Sequence, residues 1–69
     1  MTLFLRVEAG SWLSDDGRYE VYLALEDRQP RWKVWDSEKG EPVNPPGVIF
    51  ATRPDATLWL LNEYMPANP

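Results

Sequence analysis

The sequence contains no cysteine and no histidine. That absence removes disulfides, thiolate nucleophiles, zinc sites built on Cys or His, and nucleophile systems that need an imidazole base. No apolar run approaches the ~20 residues that a membrane-spanning helix requires. Glycine is scarce, 4 in 69 residues, and nowhere forms a phosphate-cradling loop. Basic residues are the minority, 7 Lys and Arg against 11 Asp and Glu, for a net charge of −4. That balance weighs against general nucleic-acid binding and suits a soluble protein or one with a basic partner. The opening stretch from Met1 to Glu8 has no basic region ahead of its apolar residues. No signal peptide is therefore expected, and the expected location is cytoplasmic.

What the chain does have is aromatic mass: 4 Trp, 3 Tyr and 2 Phe. A chain of 69 residues reads as one domain, residues 1–69, with a thin core. Domains of that size bury only about 60% of their unfolded surface, and ordering costs nearly cancel the hydrophobic gain. Large rings give much buried area for each ordered side chain.

Hydrophobic periodicity predicts strands over about 2–9, 18–26 and 31–37. Leu3, Leu5 and Val7 alternate with Phe4, Arg6 and Glu8. Tyr19, Val21, Leu23 and Leu25 alternate with Glu20, Tyr22, Ala24 and Glu26, the clearest period-2 pattern in the chain. Gly10 to Gly17 reads as a turn-forming loop, with Trp12 and Leu13 either folded over the core edge or forming an adhesive tip. Asp27 to Pro30 reads as a hairpin turn, and the proline-rich stretch Ser37 to Gly47 as a stiff loop. A short fourth strand is expected over 47–51.

A helix is predicted over about 53–64. Thr52 is the N-cap, Pro54 lies in the first turn, and Asp55 complements the positive helix end. Ala56, Leu60, Leu61 and Tyr64 share one arc and Trp59 lies towards the polar side. Pro66 and Pro69 are expected to stop the helix, leaving 65–69 as a tail. The expected fold class is α+β: an antiparallel sheet of three to four strands packed against one C-terminal helix.

One short helix covers only one sheet face. If it covers Leu3, Leu5, Val7, Tyr19, Val21, Leu23, Leu25, Trp32 and Val34, the other face displays Phe4, Arg6, Glu8, Arg18, Glu20, Tyr22, Arg31, Lys33 and Trp35. Phe4, Tyr22 and Trp35 then form an aromatic patch ringed by Arg6, Arg31 and Lys33, with Trp12 and Trp59 as further exposed rings. Clustered exposed aromatics mark interaction surfaces. The competing reading is that the rings stabilise the sheet as cross-strand pairs under long basic side chains.

Trp32-Lys33-Val34, then Phe50-Ala51-Thr52 with Ala56, Trp59 and Leu60, resembles the three-stranded-sheet-plus-helix pattern of two families. These are the arm-type DNA-binding domain of tyrosine recombinases and plant AP2-like domains. The resemblance covers about residues 18–64 and implies that Arg31, Lys33 and Trp35 face the major groove. Those domains are basic, whereas Asp36, Glu38 and Glu41 stand beside the third strand here.

Carboxylate pairs at Asp15-Asp16 and Glu26-Asp27 fall at turns, where Asp is favoured anyway, and lack the ligand spacing of a calcium loop. No catalytic residue, metal or cofactor is expected. Asp15, Asp16, Glu38, Glu41, Asp55 and Glu63 are placed to steer the chain towards a basic groove. In size and charge the chain is similar to small acidic phage and mobile-element inhibitors, including anti-restriction and anti-CRISPR proteins. The expectation is a non-enzymatic protein that binds a protein of a nucleic-acid-handling complex. The alternatives are a DNA-binding module using the same sheet face and a homodimeric structural subunit.

Overall fold

A computed structural model describes residues 2–68. Five antiparallel strands form one meander in the order β1-β2-β3-β4-β5. They are β1 (Phe4–Glu8), β2 (Ser11–Ser14), β3 (Tyr19–Glu26), β4 (Gln29–Asp36) and β5 (Glu41–Pro42). The C-terminal helix α1 follows, spans 15 residues and packs on one face. The α+β layout matches the expectation, with five strands in place of three or four. The added strands come from segments read as loops. Ser11–Ser14 pairs on both sides, to β1 and to β3, despite its flanking glycine and Asp-Gly signals. Glu41–Pro42 extends the sheet beyond β4. Residues 47–51 form no strand; Phe50 makes a single bridge to Trp32, whose N–H donates to the Phe50 carbonyl at 2.9 Å.

The β3–β4 hairpin closes at Glu26 opposite Gln29, with only Asp27 and Arg28 between them. Both have positive φ, 51° and 63°. That pair of conformations matches the right-handed twist of the strands and favours Asn-Gly or Asp-Gly. Pro30 is tolerated opposite Leu25 because the pair next to the closing one is non-hydrogen-bonded, so its nitrogen faces away from β3. Arg28 carries a Cβ where the backbone prefers none. Arg28→Gly is expected to raise unfolding stability by about 1 kcal/mol, read as a higher thermal midpoint.

The helix begins as the sequence predicts. Thr52 is extended, its Oγ1 accepts from the Asp55 N–H at 3.3 Å, and proline occupies the first turn. It is α-helical over Arg53–Trp59, widens into a π turn over Leu60–Tyr64, and closes with an α turn over Met65–Ala67. The chain therefore stays helical past Pro66. The Met65 N–H bonds the Leu60 carbonyl, five residues back. A widened turn ahead of a proline relieves the clash that would otherwise break the helix. The same turn alters the buried arc. Ala56, Leu60 and Tyr64 are buried, Leu61 is exposed, and Trp59 turns in to lie 5.7 Å from Phe50 and 5.4 Å from Tyr64, ring centre to ring centre.

The core is small: Tyr19, Val21, Val34, Phe50, Ala56, Leu60 and Tyr64, with Phe4, Trp32, Val43, Trp59 and Met65 around it. At its edge lies a fully buried carboxylate, Asp36. Its Oδ2 accepts from the Tyr64 hydroxyl at 2.7 Å and its Oδ1 from the Glu38 N–H at 3.0 Å. Arg18 Nε lies 3.5 Å from the same Oδ1, and Arg18 Nη2 lies 2.9 Å from Glu38. Tyr19 meets Tyr64 edge-on at 6.0 Å. One polar cluster thus joins β4, the loops at its end and the helix.

Burial raises the Asp36 carboxyl, but the bonds from Tyr64 and the Glu38 N–H, with the Arg18 guanidinium close by, outweigh it and hold it below the usual carboxylate range. Burial, with the bond to Asp36, pushes the Tyr64 phenol up to about 12. The unfolded phenol releases its proton near pH ~10. Above that pH the folded state keeps a proton that the unfolded chain has lost, so stability falls as pH rises towards about 12. Asp36 acts at the other end: its contribution is present above the unfolded carboxyl value and is lost as pH falls through the depressed folded value. Tyr64→Phe is expected to lose about 1–3 kcal/mol at neutral pH and to show a shallower alkaline decline than wild type, followed by urea titration at increasing pH.

Candidate functional site

Residues directly opposed on antiparallel neighbours share a sheet face. The register therefore sorts the side chains. Arg6, Trp12, Val21 and Val34 form one row facing the helix, with Phe4 opposite Ser14 on the same side. Leu5, Leu13, Glu20, Trp35 and Pro42 form a row across the outer face. Ser11, Tyr22 and Lys33 make the next outer row, and Ala24 and Arg31 the one after it.

This arrangement keeps Tyr22, Arg31, Lys33 and Trp35 together on the outer face, takes Phe4 from it, and engages the two other expected binding rings, Trp12 and Trp59, on the helix side. Phe4 faces the helix side and packs against the core. Trp12 lies on the helix side with the Arg53 guanidinium 4.1 Å above its ring. Trp59 joins the Phe50–Tyr64 stack. Arg6 crosses to the helix side as well, while Leu3, Leu5 and Val7, expected beneath the helix, are 56%, 61% and 57% exposed. The reason is facing: Leu5 lies opposite Leu13 on the outer row while Phe4 takes the helix side, and the strand carries an irregularity between Arg6 and Glu8. Three aliphatics at odd positions look like a core face, yet pairing with β2 decides which way they point. Leu5, Leu13 and Pro42 were thus missed as outer-face residues. The available signal was Trp12-Leu13, two large apolar residues inside an otherwise turn-like stretch.

Trp35 and Tyr22 are half-buried on a face that no other described element covers. The charges among them are largely spent within the sheet. Lys33 Nζ lies 2.7 Å from Glu26, and that bond holds the Glu26 carboxyl below its ordinary range. The Arg31 guanidinium donates to Gln29 Oε1 and the Pro30 carbonyl, both at 3.2 Å. Ser11 Oγ donates to Glu20 at 2.6 Å. Burial raises the Tyr22 phenol, with nearby Lys33 opposing the shift. The result is an apolar and aromatic surface on which Lys33 and Glu26 neutralise each other, while Arg31 and Glu20 keep their charge beside neutral hydrogen-bond partners. Among the described residues, no group of three Asp or Glu is placed to hold a metal ion.

A shallow hollow of about 190 Å³ opens beside this face, between Arg31, Lys33 and Glu26 on one wall and Trp32, Ile49 and Phe50 on the other. Its floor includes Asn44, which closes the free side of β4. Asn44 Oδ1 accepts from the Val34 N–H at 2.7 Å and Nδ2 donates to the Trp32 carbonyl at 3.1 Å, replacing one step of a strand ladder. No family model, curated protein or solved structure matches the chain. Asn44→Ala leaves two backbone groups of β4 unpaired, and a loss of about 1–3 kcal/mol is expected in denaturant unfolding. Faster exchange of the Val34 amide should accompany it.

Proposed function

We propose that the protein is a non-catalytic binding module that docks on another protein through the outer face of its sheet. The observation that carries this reading is the row Leu5, Leu13, Glu20, Trp35 and Pro42, apolar but for Glu20, with Tyr22 beside it, on a face left uncovered by the helix. Trp35 lies between β3 and β5 and is the natural anchor; interface energy concentrates on such central aromatic side chains. Apolar contact would supply most of the affinity and the net charge of −4 would steer approach to a basic surface. That combination suits an inhibitor or adaptor acting on a nucleic-acid-handling complex, in the manner of the small acidic mobile-element proteins. The support here is size, charge and the apolar face.

The direct DNA-reading alternative draws less support. Of the cations that reading uses, Lys33 is engaged by Glu26 and Arg6 faces the helix side, which leaves Arg31, bonded only to neutral groups, against a net charge of −4. Trp35→Ala is expected to keep its far-UV circular dichroism and to weaken binding to a captured partner by roughly 30-fold or more, the effect of losing a hot-spot aromatic. Equal capture by wild type and variant from the same lysate would remove Trp35 from the site. In a parallel low-salt titration with mixed-sequence duplex DNA, the Trp35 indole N–H signal should stay in place. A saturable, salt-sensitive shift would favour the DNA-reading alternative.

A further inference from the structure

The two borders of the sheet are finished differently. Along β4 the border is closed: β5 pairs with Trp35 and Asp36, the Val43 N–H bonds the Val34 carbonyl at 2.8 Å, and Asn44 and Phe50 occupy the next positions. Along β1, no described residue pairs with the outer side. The hydrogen-bond phase there can be read directly. The Asp15 N–H donates to the Leu3 carbonyl at 2.8 Å, so Leu3 turns its backbone groups inward. Leu5, two residues on and opposite Leu13, does the same. The N–H and C=O of Phe4 and Arg6 therefore point out of the sheet. β1 holds no proline and no lysine; what blunts it is its length of five residues, Arg6 on the helix side and the irregularity before Glu8. The irregularity between Arg6 and Glu8 limits the open stretch to the residues before it.

The side chains on this border are equally unfinished. Leu3, Leu5 and Val7 are each more than half exposed. They form a continuous aliphatic line, unlike the single exposed apolar residues that any surface carries. Among the described residues only seven hydrophobic ones are buried, a core at the lower limit for a free-standing domain.

We infer that β1 pairs antiparallel with β1 of a second copy of this chain, about a two-fold axis through Leu5. In that register Phe4 of each copy lies opposite Arg6 of the other, so all the outward N–H and C=O groups of those residues are paired. Leu5 meets Leu5 at the axis in a close, non-hydrogen-bonded pair, and Leu3 of each copy lies beyond it, next to the irregularity that ends the open stretch of the other. On the opposite face each guanidinium lies against a phenyl ring, a favourable cation–π arrangement. Charge selects this register over the one centred on Arg6, which would set two guanidinium groups side by side. The two outer faces then become one continuous surface carrying two copies of the Trp35 row.

A border of this length buries roughly half of the ~800 Å² per partner found in standard interfaces, so the dimer is a weak one that forms at high micromolar concentration. Sedimentation equilibrium over a concentration series tests it, with amide exchange of Phe4 and Arg6 measured at both ends of the series. The expected result is a mass that climbs from one chain towards two, with the Phe4 and Arg6 amides protected only at high concentration. Leu5→Lys, at an exposed position that the fold tolerates, should stay monomeric with both amides unprotected. Trp35→Ala should associate like wild type, which separates this interface from the partner-binding face. A monomer throughout the series, or a Leu5→Lys variant that associates as wild type does, would overturn the inference.

Discussion

The hydrogen bond from Tyr64 to the buried Asp36 is the constraint on which the rest of this small structure depends. It spans 28 residues and is the polar bond that locks the helix to the sheet. A lone buried carboxylate is costly to desolvate, so the cluster holds only if every partner arrives together. Arg18, the Glu38 N–H and Tyr64 must all converge on Asp36. That requirement sets the position of the β2–β3 loop, the loop after β4 and the last turn of the helix at once. In a core of so few apolar side chains, such a cluster specifies geometry that hydrophobic contact alone leaves loose.

The π turn belongs to the same constraint. It admits Pro66 into the helix while keeping Leu60 and Tyr64 both on the sheet side. It also leaves Leu61 outward and brings Trp59 in against Phe50. The helix-side aromatics are therefore committed to structure, and the aromatic surface left free is the Tyr22 and Trp35 pair on the other face.

What the sequence made legible follows the strength of local signals. Thr52, Pro54 and Asp55 mark a helix start that depends only on neighbouring backbone, and the structure places it there. β3 alternates over eight residues and was readable for the same reason. β2 was not, because four residues between a glycine turn and an Asp-Asp-Gly turn carry too little pattern to outweigh their flanks. Its omission had a further cost. Without β2, the facing of β1 rested on apolarity alone, and Leu3, Leu5 and Val7 outvoted Phe4. The outer face was thus half legible: Tyr22, Lys33, Arg31 and Trp35 share it, while Phe4, Trp12 and Trp59 do not. The burial of Asp36 had no local signal at all, since its partners lie far away in the chain.

The plain meander has a kinetic meaning. Every strand pairs with its neighbour in sequence, so each connection closes a short loop at small entropic cost. The sheet can zip from the β3–β4 hairpin outwards without waiting for distant segments to meet. Only the docking of the helix closes a long loop, and it comes with the burial of Leu60 and the seating of Tyr64 on Asp36. Local topology of this kind places a domain among the faster folders of its size.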